Sequence, residues 1–449
     1  MDRRARRLAP TTLLAALGAA ATLAAAPAAA AEPRSRDSAD PGYAPGEVVV
    51  KIDDQRFGDA VHLPAGVGVP KAIAALRSNP HVAYAVPNYI ATASGVPNDP
   101  GTVPPDRTPR RGWAKLQWNF LPCGSFCNPG TPPLEFQSAG GIDALSAWRN
   151  LRRAGRPGAR GVTVAVLDTG IAYRDRGRRF RRSPDFTRRQ FARGYDFVGK
   201  DRMPLDVNGH GTHLAGTIGE KINNRTALTG LAYRAKLMPV RVLNAVGNGK
   251  ADKIARGIRF AARHGADVIN MSFNFGCGNP VPPVVQAMRF AARRGSVLVA
   301  STGNDDPRSC VTMPATDPRA IAVGGTTEAG CLGAYSKISP RVDLVAPGGG
   351  VPSLGCPDPS AIRPIYQLTF RTGSPRRFDI PAFYEGTSMA AAHVSGVAAM
   401  VIASGVLGPR PTAAEVTGQL QETARDLGPP GEDNGFGAGL IDAAAATAP

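Results

Sequence analysis

Hydrophobic and polar positions follow three regimes along the chain. At the N-terminus, Arg3, Arg4, Arg6 and Arg7 precede an apolar run from Leu13 to Ala26, and Ala29-Ala30-Ala31 places small residues before Glu32. A basic head, an apolar stretch and a small-residue site form the layout of a secretory signal, residues 1–31. Residues 32–45 are polar and aperiodic. Three short segments follow: a β-branched run at Val48–Ile52, apolar Ala72, Ile73 and Leu76 within Lys71–Arg77, and a strand-like Val82–Tyr89. They predict a small α+β unit over residues 32–95, too short to enclose a large core. Proline is frequent between Gly95 and Gly112, which predicts a linker. Residues 96–160 read as that linker and an N-terminal extension.

From Val162 onward apolar residues come in continuous runs: Val162–Leu167, Leu237–Leu243, Asp267–Met271, Val297–Ala300 and Ala320–Val323. Runs of this kind predict strands covered on both faces, as in a parallel sheet. Asp252–His264 carries Ile254, Ile258, Ala261 and Ala262 on one face, with Asp252 as the expected N-cap and Gly265 after the end. Val284–Arg294 repeats the design and stops at Gly295. Strands alternating with helices predict an α/β fold over residues 161–449, a doubly wound and mainly parallel sheet with helices on both faces. Ligands then belong at the carboxyl ends of the strands. Thr387–Ser404 is almost wholly small and apolar. A membrane span would look similar, but His393 and several serines interrupt the segment and another helix, Ala413–Thr423, follows at once. It reads as a buried central helix, so no stable membrane span is expected once the signal is removed.

Composition narrows the function. With 449 residues and 43% hydrophobic residues the chain has ample material for a core, which excludes a wholly disordered protein. The net charge is +18, from 53 basic and 35 acidic residues. The arginines are scattered, with local clusters at Arg174–Arg182 and Arg371–Arg377. No zinc-finger or RNA-binding signature accompanies them, so nucleic acid is not an expected partner. A compositional bias toward Arg over a solvated surface is the plain reading of the excess charge, and attraction to an anionic cell wall or membrane surface stands ahead of nucleic acid. Cys123, Cys127, Cys277, Cys310, Cys331 and Cys356 all follow the signal. An even count in an exported chain reads as disulfides. Pairing of sequence neighbours is the default: Cys123–Cys127, Cys277–Cys310 and Cys331–Cys356. The Cys123/Cys127 spacing lacks the second close pair that a zinc site needs.

Three segments place a polar residue at the edge of an apolar element, where burial costs free energy unless the group is paired or used. Asp168 directly follows the run Val164–Leu167. His210 lies in the Gly-rich Asn208-Gly-His-Gly-Thr-His213. Ser388 follows Gly386-Thr387 at the start of the buried helix. Together they supply a nucleophile, a base and an orienter. A serine hydroxyl is a weak nucleophile unless an imidazole takes its proton during attack. The imidazole in turn needs a carboxylate on its other nitrogen, to fix the tautomer and stabilise the imidazolium. The helix N-terminus at Ser388 adds backbone N–H groups for developing negative charge.

These motifs, with the closing Gly435-Phe-Gly-Ala-Gly-Leu-Ile-Asp-Ala, resemble subtilisin-type serine endopeptidases over about residues 160–449. The order Asp, His, Ser is that of subtilisin. The resemblance implies Asp168 as orienter, His210 as base then acid, and Ser388 as nucleophile. It implies Asn304, in Ser301-Thr-Gly-Asn304, as the oxyanion-hole amide. Met271-Ser272-Phe273-Asn274 matches the segment that pairs with substrate as an added strand. Asp185 and Asn224 match oxygen ligands of a structural calcium site, although the stretch from Asn224 to Gly230 is one residue longer than usual. No cofactor is required for the chemistry. His213 and His393 read as structural. The loop Arg174–Arg182 and the segment from Gly350 to Phe383 are longer than in compact members, so specificity does not carry over. Ala75 to Tyr89 resembles the end of a subtilisin propeptide, a folding aid and tethered inhibitor. The expectation is a secreted, monomeric endopeptidase acting on protein or peptide substrates and made as a self-processed zymogen. The alternative is an inactive subtilisin-like binding or surface protein. A metallohydrolase using His210 and His213 is a third reading, without the Glu of H-E-x-x-H.

Overall fold

The structure, a computed structural model, describes residues 43–53, 59–89, 99–101, 112–129, 132–278, 281–371 and 373–449. The expected signal and most of the proline-rich linker lie outside the described residues. The described residues fall into two compact units, one within residues 1–94 and the other within 95–449.

In the smaller unit β1 (Tyr43–Ile52) lies between β2 (Asp59–His62) and β3 (Val82–Tyr89), antiparallel to both. Helix α1 (Val69–Arg77) starts two residues earlier than its apolar spacing indicates, because Pro70 at its start presets a helical φ. It packs Val69, Ile73 and Leu76 against Val48, Val50 and Ala85. A core of this size offsets little of the backbone entropy lost on ordering, about 1–2 kcal/mol per residue.

The larger unit begins earlier than the linker reading allows. Helices α2 (Trp113–Leu116) and α3 (Ala144–Arg153) flank a segment whose Trp118 and Phe120 are fully buried, as are Trp113 and Trp148. All four aromatics belong to the main core. The expectation of a linker and extension over residues 96–160 is therefore corrected from residue 112 onward. Asp143 caps α3 by accepting a hydrogen bond from the Ser146 N–H at 3.0 Å.

A parallel sheet follows. Its strands are β4 (Thr163–Asp168), β5 (Tyr195–Asp196), β6 (Lys236–Arg241), β7 (Val268–Met271), β8 (Val297–Ser301), β9 (Ala320–Thr326) and β10 (Leu344–Pro347), in spatial order β10-β9-β8-β7-β4-β6-β5. Between them run α4 (His210–Gly219), α5 (Ala251–Arg263) and α6 (Pro282–Ala292). The hairpin β11 (Thr369–Phe370) with β12 (Phe378–Asp379) precedes α7 (Thr387–Ser404), and α8 (Ala413–Glu422) and α9 (Ala443–Ala446) close the chain. Successive strand residues feed opposite cores. Val164, Val166, Val297 and Val299 join α4 and α7 on one face. Ala165, Leu167, Leu298 and Ala300 join α5 and α6 on the other. Period-two side chains with both faces apolar account for the continuous runs in the sequence.

The expected N-cap of α5 is also corrected. Lys250 holds that position, and Asp252 lies in the first turn, where its charge faces the positive helix end. Helix α7 coincides with its expected range, is apolar around its whole circumference and is buried along most of its length. The three neighbour disulfides, Cys123–Cys127, Cys277–Cys310 and Cys331–Cys356, are all formed.

Candidate active site

The carboxyl ends of the central strands gather the chemistry. Asp168 ends β4, Ser272–Asn274 continue from β7, and Asn304 lies three residues beyond β8. His210 opens α4 and Ser388 is the second residue of α7.

Asp168 is fully buried, while the His210 ring is 24% exposed. His210 Nδ1 lies 2.9 Å from Asp168 Oδ1, which also accepts from the Thr169 N–H at 2.7 Å. Burial pushes the imidazole pKa down, but the Asp168 charge and hydrogen bond, with Asp206 adding, outweigh it and hold His210 above its ordinary value. Asp206 ties the parts together. Its carboxylate accepts from Thr169 Oγ1, from the Asn208 and Gly209 N–H groups, and from the N–H and hydroxyl of Thr212. Sequence reading missed this residue, because a single Asp in a turn carries no pattern. Gly211 lets α4 approach β4: a Cβ there would sit 2.2 Å from the Gly170 carbonyl oxygen.

Ser388 Oγ donates to the Ser272 carbonyl at 3.4 Å and is half-buried. In this geometry the hydroxyl points to that carbonyl rather than to His210. Ser272 Oγ in turn donates to the Ser388 carbonyl at 3.1 Å and accepts from Asn270 Nδ2. Asn274 donates from Nδ2 to the Ser301 carbonyl and accepts from Ser301 Oγ. The side chains of Ser272 and Asn274 are thus spent on the scaffold, and Phe273 is half-buried. What this segment offers a ligand is its backbone edge.

Asn304 Oδ1 accepts from both the N–H and the hydroxyl of Thr387, each at 2.8 Å. That fixes the amide and leaves Nδ2 on an exposed residue beside the start of α7, which has no side-chain cap. Gly386 permits the approach: φ is +127°, and a Cβ would lie 2.8 Å from Asn304 Nδ2. Beneath the Asn304 loop Lys337 is fully buried. Its Nζ donates to the Asp306 carbonyl at 2.9 Å and to Ser309 Oγ, with Asp305 Oδ2 3.9 Å away. Nothing in the local sequence marks this lysine.

The two fully buried histidines are structural in position. His213 Nε2 lies 3.0 Å from the Ile365 carbonyl and its ring stacks on Tyr384; burial lowers its pKa to about 3. His393 bridges the Met389 carbonyl and Asn119 Nδ2, and burial lowers it to about 4.

Asp185 and Asn224 come together, with Asn224 Nδ2 2.6 Å from Asp185 Oδ1. Two further carboxylates share the region. Asp99, hidden from sequence reading in the proline-rich stretch, accepts from the N–H groups of Asn223, Asn224 and Arg225. Glu220 is fully buried with no hydrogen-bond partner for either carboxylate oxygen. Burial raises Asp99 to about 6 and pushes Asp185 and Glu220 well above the usual range. Among the described residues no set of three or more His, Cys, Asp or Glu is arranged to hold a metal ion. Any cation here would draw on Asp99, Asp185 and amide or carbonyl oxygens, a donor set that suits calcium.

Comparison with known proteins agrees with this arrangement. Residues 159–439 match the sequence model of the subtilase family. The chain is 31% identical over 337 residues to a thermophilic serine proteinase of Bacillus sp. (strain AK1), covering 75% of this chain and 67% of that protein. It is 36% identical over 287 residues to Subtilisin Savinase of Lederbergia lenta, covering 64% of this chain and 91% of that one. An extracellular protease of Xanthomonas campestris is 32% identical over 344 residues, covering 68% of this chain and 53% of its own. Among solved structures, that of the proteases from Pseudoalteromonas arctica PAMC 21717 superposes with a TM-score of 0.60 at 27% identity, covering 79% of this chain and 99% of that one. With the motifs, the parallel sheet and the sequence match in accord, this chain belongs to the subtilase family of serine endopeptidases.

Proposed function

We propose that the chain is a secreted endopeptidase that cleaves peptide bonds through Asp168, His210 and Ser388. The observation that carries this reading is the Asp168–His210 hydrogen bond, set at the same sheet edge as a serine on an uncapped helix start. With a peptide bound, Ser388 Oγ attacks the carbonyl carbon while His210 Nε2 takes its proton. Asp168 keeps Nδ1 protonated and stabilises the imidazolium. The carbonyl oxygen becomes an oxyanion within reach of Asn304 Nδ2 and the Ser388 N–H, one of the first-turn amides that have no intrahelical acceptor. His210 then protonates the leaving amine, and water hydrolyses the acyl-enzyme by the same steps in reverse. The acyl side of the substrate adds a strand along Ser272–Asn274.

Residues 32–95 form the propeptide in this reading, and Asp99, Asp185 and Asn224 would hold a structural calcium that takes no part in the chemistry. Labelling with a fluorophosphonate tests the central claim. Wild-type protein becomes labelled and the Ser388→Ala variant does not. A folded wild type that resists the probe and leaves peptides intact is the inactive binding protein instead.

A further inference from the structure

Two basic segments, distant in sequence, meet beside the turn that carries His210. The first, Arg174–Arg182, follows the Asp168 strand and holds six arginines against a single acid, Asp175. The second, between β11 and β12, holds Arg371, Arg376 and Arg377. The Arg181 N–H donates to the Pro375 carbonyl at 3.0 Å and joins them. The Gly373 N–H donates to the Val207 carbonyl at 3.3 Å, and Thr369 Oγ1 donates to the Gly209 carbonyl at 2.6 Å. The second segment is therefore fastened to the same turn as the catalytic histidine. Between the two lies a surface depression of about 430 Å³, lined by Arg179, Gly373, Ser374, Pro375, Arg376 and Arg377.

The charges in this depression are uncompensated. Arg179, Arg376 and Arg377 are exposed, and among the described residues none of the nine arginines forms an ion pair with a carboxylate. Asp175 and Asp379 accept from backbone N–H groups, those of Arg182 at 3.1 Å and Ile380 at 2.8 Å, and form an ion pair with none of these arginines. Like charges held together repel, so an anionic occupant gains both direct attraction and relief of that repulsion. A guanidinium presents a planar fork that matches a carboxylate with two parallel hydrogen bonds.

We infer that this groove receives the substrate segment on the leaving-group side of the scissile bond and selects Asp or Glu side chains there. The inference rests on the endopeptidase reading. Side follows from mechanism: the acyl half pairs with Ser272–Asn274, and His210 hands its proton to the departing amine, so the departing chain runs past the His210 turn. The depression is concave and lies between the two arginine segments, the second of them fastened to that turn. That favours a peptide side chain over the broad face of an anionic membrane.

Paired peptides test it. One set carries Glu at the second and third positions after the cut and the other carries Gln, each with identical residues before it. A peptide anilide with no residue beyond the anilide measures hydrolysis independently of the groove. For wild type at low salt, kcat/KM should favour Glu over Gln by roughly fivefold or more, residing in KM because the contact exists before and during reaction. The preference should shrink to less than about twofold at roughly 0.5 M salt. Arg376→Ala with Arg377→Ala should bring the ratio close to one, while Lys at both positions restores part of it. Anilide cleavage with no Glu preference overturns the groove assignment and leaves the peptidase intact. Loss of anilide cleavage in wild type overturns the peptidase reading itself. Equal cleavage of both sets, together with arginine-dependent retention on vesicles containing phosphatidylserine, assigns the patch to membranes and overturns the proposal.

Discussion

In the proposed mechanism single residues decide the rate, and two of them can be separated by experiment. Asn304 has its oxygen held twice by Thr387, so its amide nitrogen is preoriented before any substrate arrives. Replacement by Leu removes a donor that strengthens only as the oxyanion forms. In proteases of this family such a loss is worth about 10²–10³ in kcat. We expect that fall in kcat with KM within about twofold, measured on a peptide anilide. A change confined to KM assigns Asn304 to binding. Lys337 acts one layer below. Lys337→Met leaves the Asp306 carbonyl and Ser309 hydroxyl without their donor, at a cost of about 1–3 kcal/mol. Thermal unfolding should show a lowered Tm, and kcat should fall because the loop carrying Asn304 loses its floor. An unchanged Tm removes Lys337 from the list of supports.

At the scale of elements, periodicity carried most of the fold and isolation hid the rest. The runs around Leu167, Met271 and Ala300 were legible because both faces of each strand are apolar. The two-residue β5 is too short to show a pattern, and β10 is cut by Pro347. Trp113, Trp118 and Phe120 fell in the stretch read as an N-terminal extension, because no periodic run surrounds them to show that they belong to the core. The spacing of Ala144, Ala147, Trp148 and Leu151 did hold a helical period and was the signal for α3. The candidate set of Asp168, His210 and Ser388 was legible because each member sits where an apolar element ends. Asp206, Asp99, Glu220 and Lys337 were not, since only the tertiary fold gives them partners or denies them any. The N-terminal unit yields a prediction at this scale. Its small core makes it a dependent element, in keeping with removal after folding. If cleavage is intramolecular, Ser388→Ala should accumulate as a pro-form beginning near Glu32, while wild type begins after about residue 90. N-terminal sequencing of both proteins decides, and a trimmed Ser388→Ala protein from a protease-deficient host rules out self-processing.

For the whole molecule, the buried carboxylates couple stability to pH and, through the proposed calcium site, to the metal. Burial raises Asp99 from 3.8 to about 6 in the folded chain, and it pushes Asp185 and Glu220 well above the usual carboxylate range. The folded chain therefore holds protons that the unfolded chain releases. Their contribution to stability is full below the unfolded values and is lost as pH rises through the folded ones. A cation beside the ionised groups offsets that loss. Calcium should then raise Tm more at pH 8 than at pH 5, and chelation should do the reverse. Equal Tm with calcium and chelator at pH 8 leaves these acids without a metal partner.

The central helix α7 has one more consequence. Ser388 lies in its first turn, and most of its remaining length lies in the core against α4 and strands β7 to β10. In the proposed mechanism the nucleophile cannot loosen without disturbing the packing of the domain, so a molecule that loses its active site also exposes its backbone. Such a molecule is food for its intact neighbours. Loss of activity on heating should then be of higher order in enzyme: at a fixed temperature the half-life shortens as concentration rises. Ser388→Ala, which cannot digest its own kind, should unfold with a half-life independent of concentration.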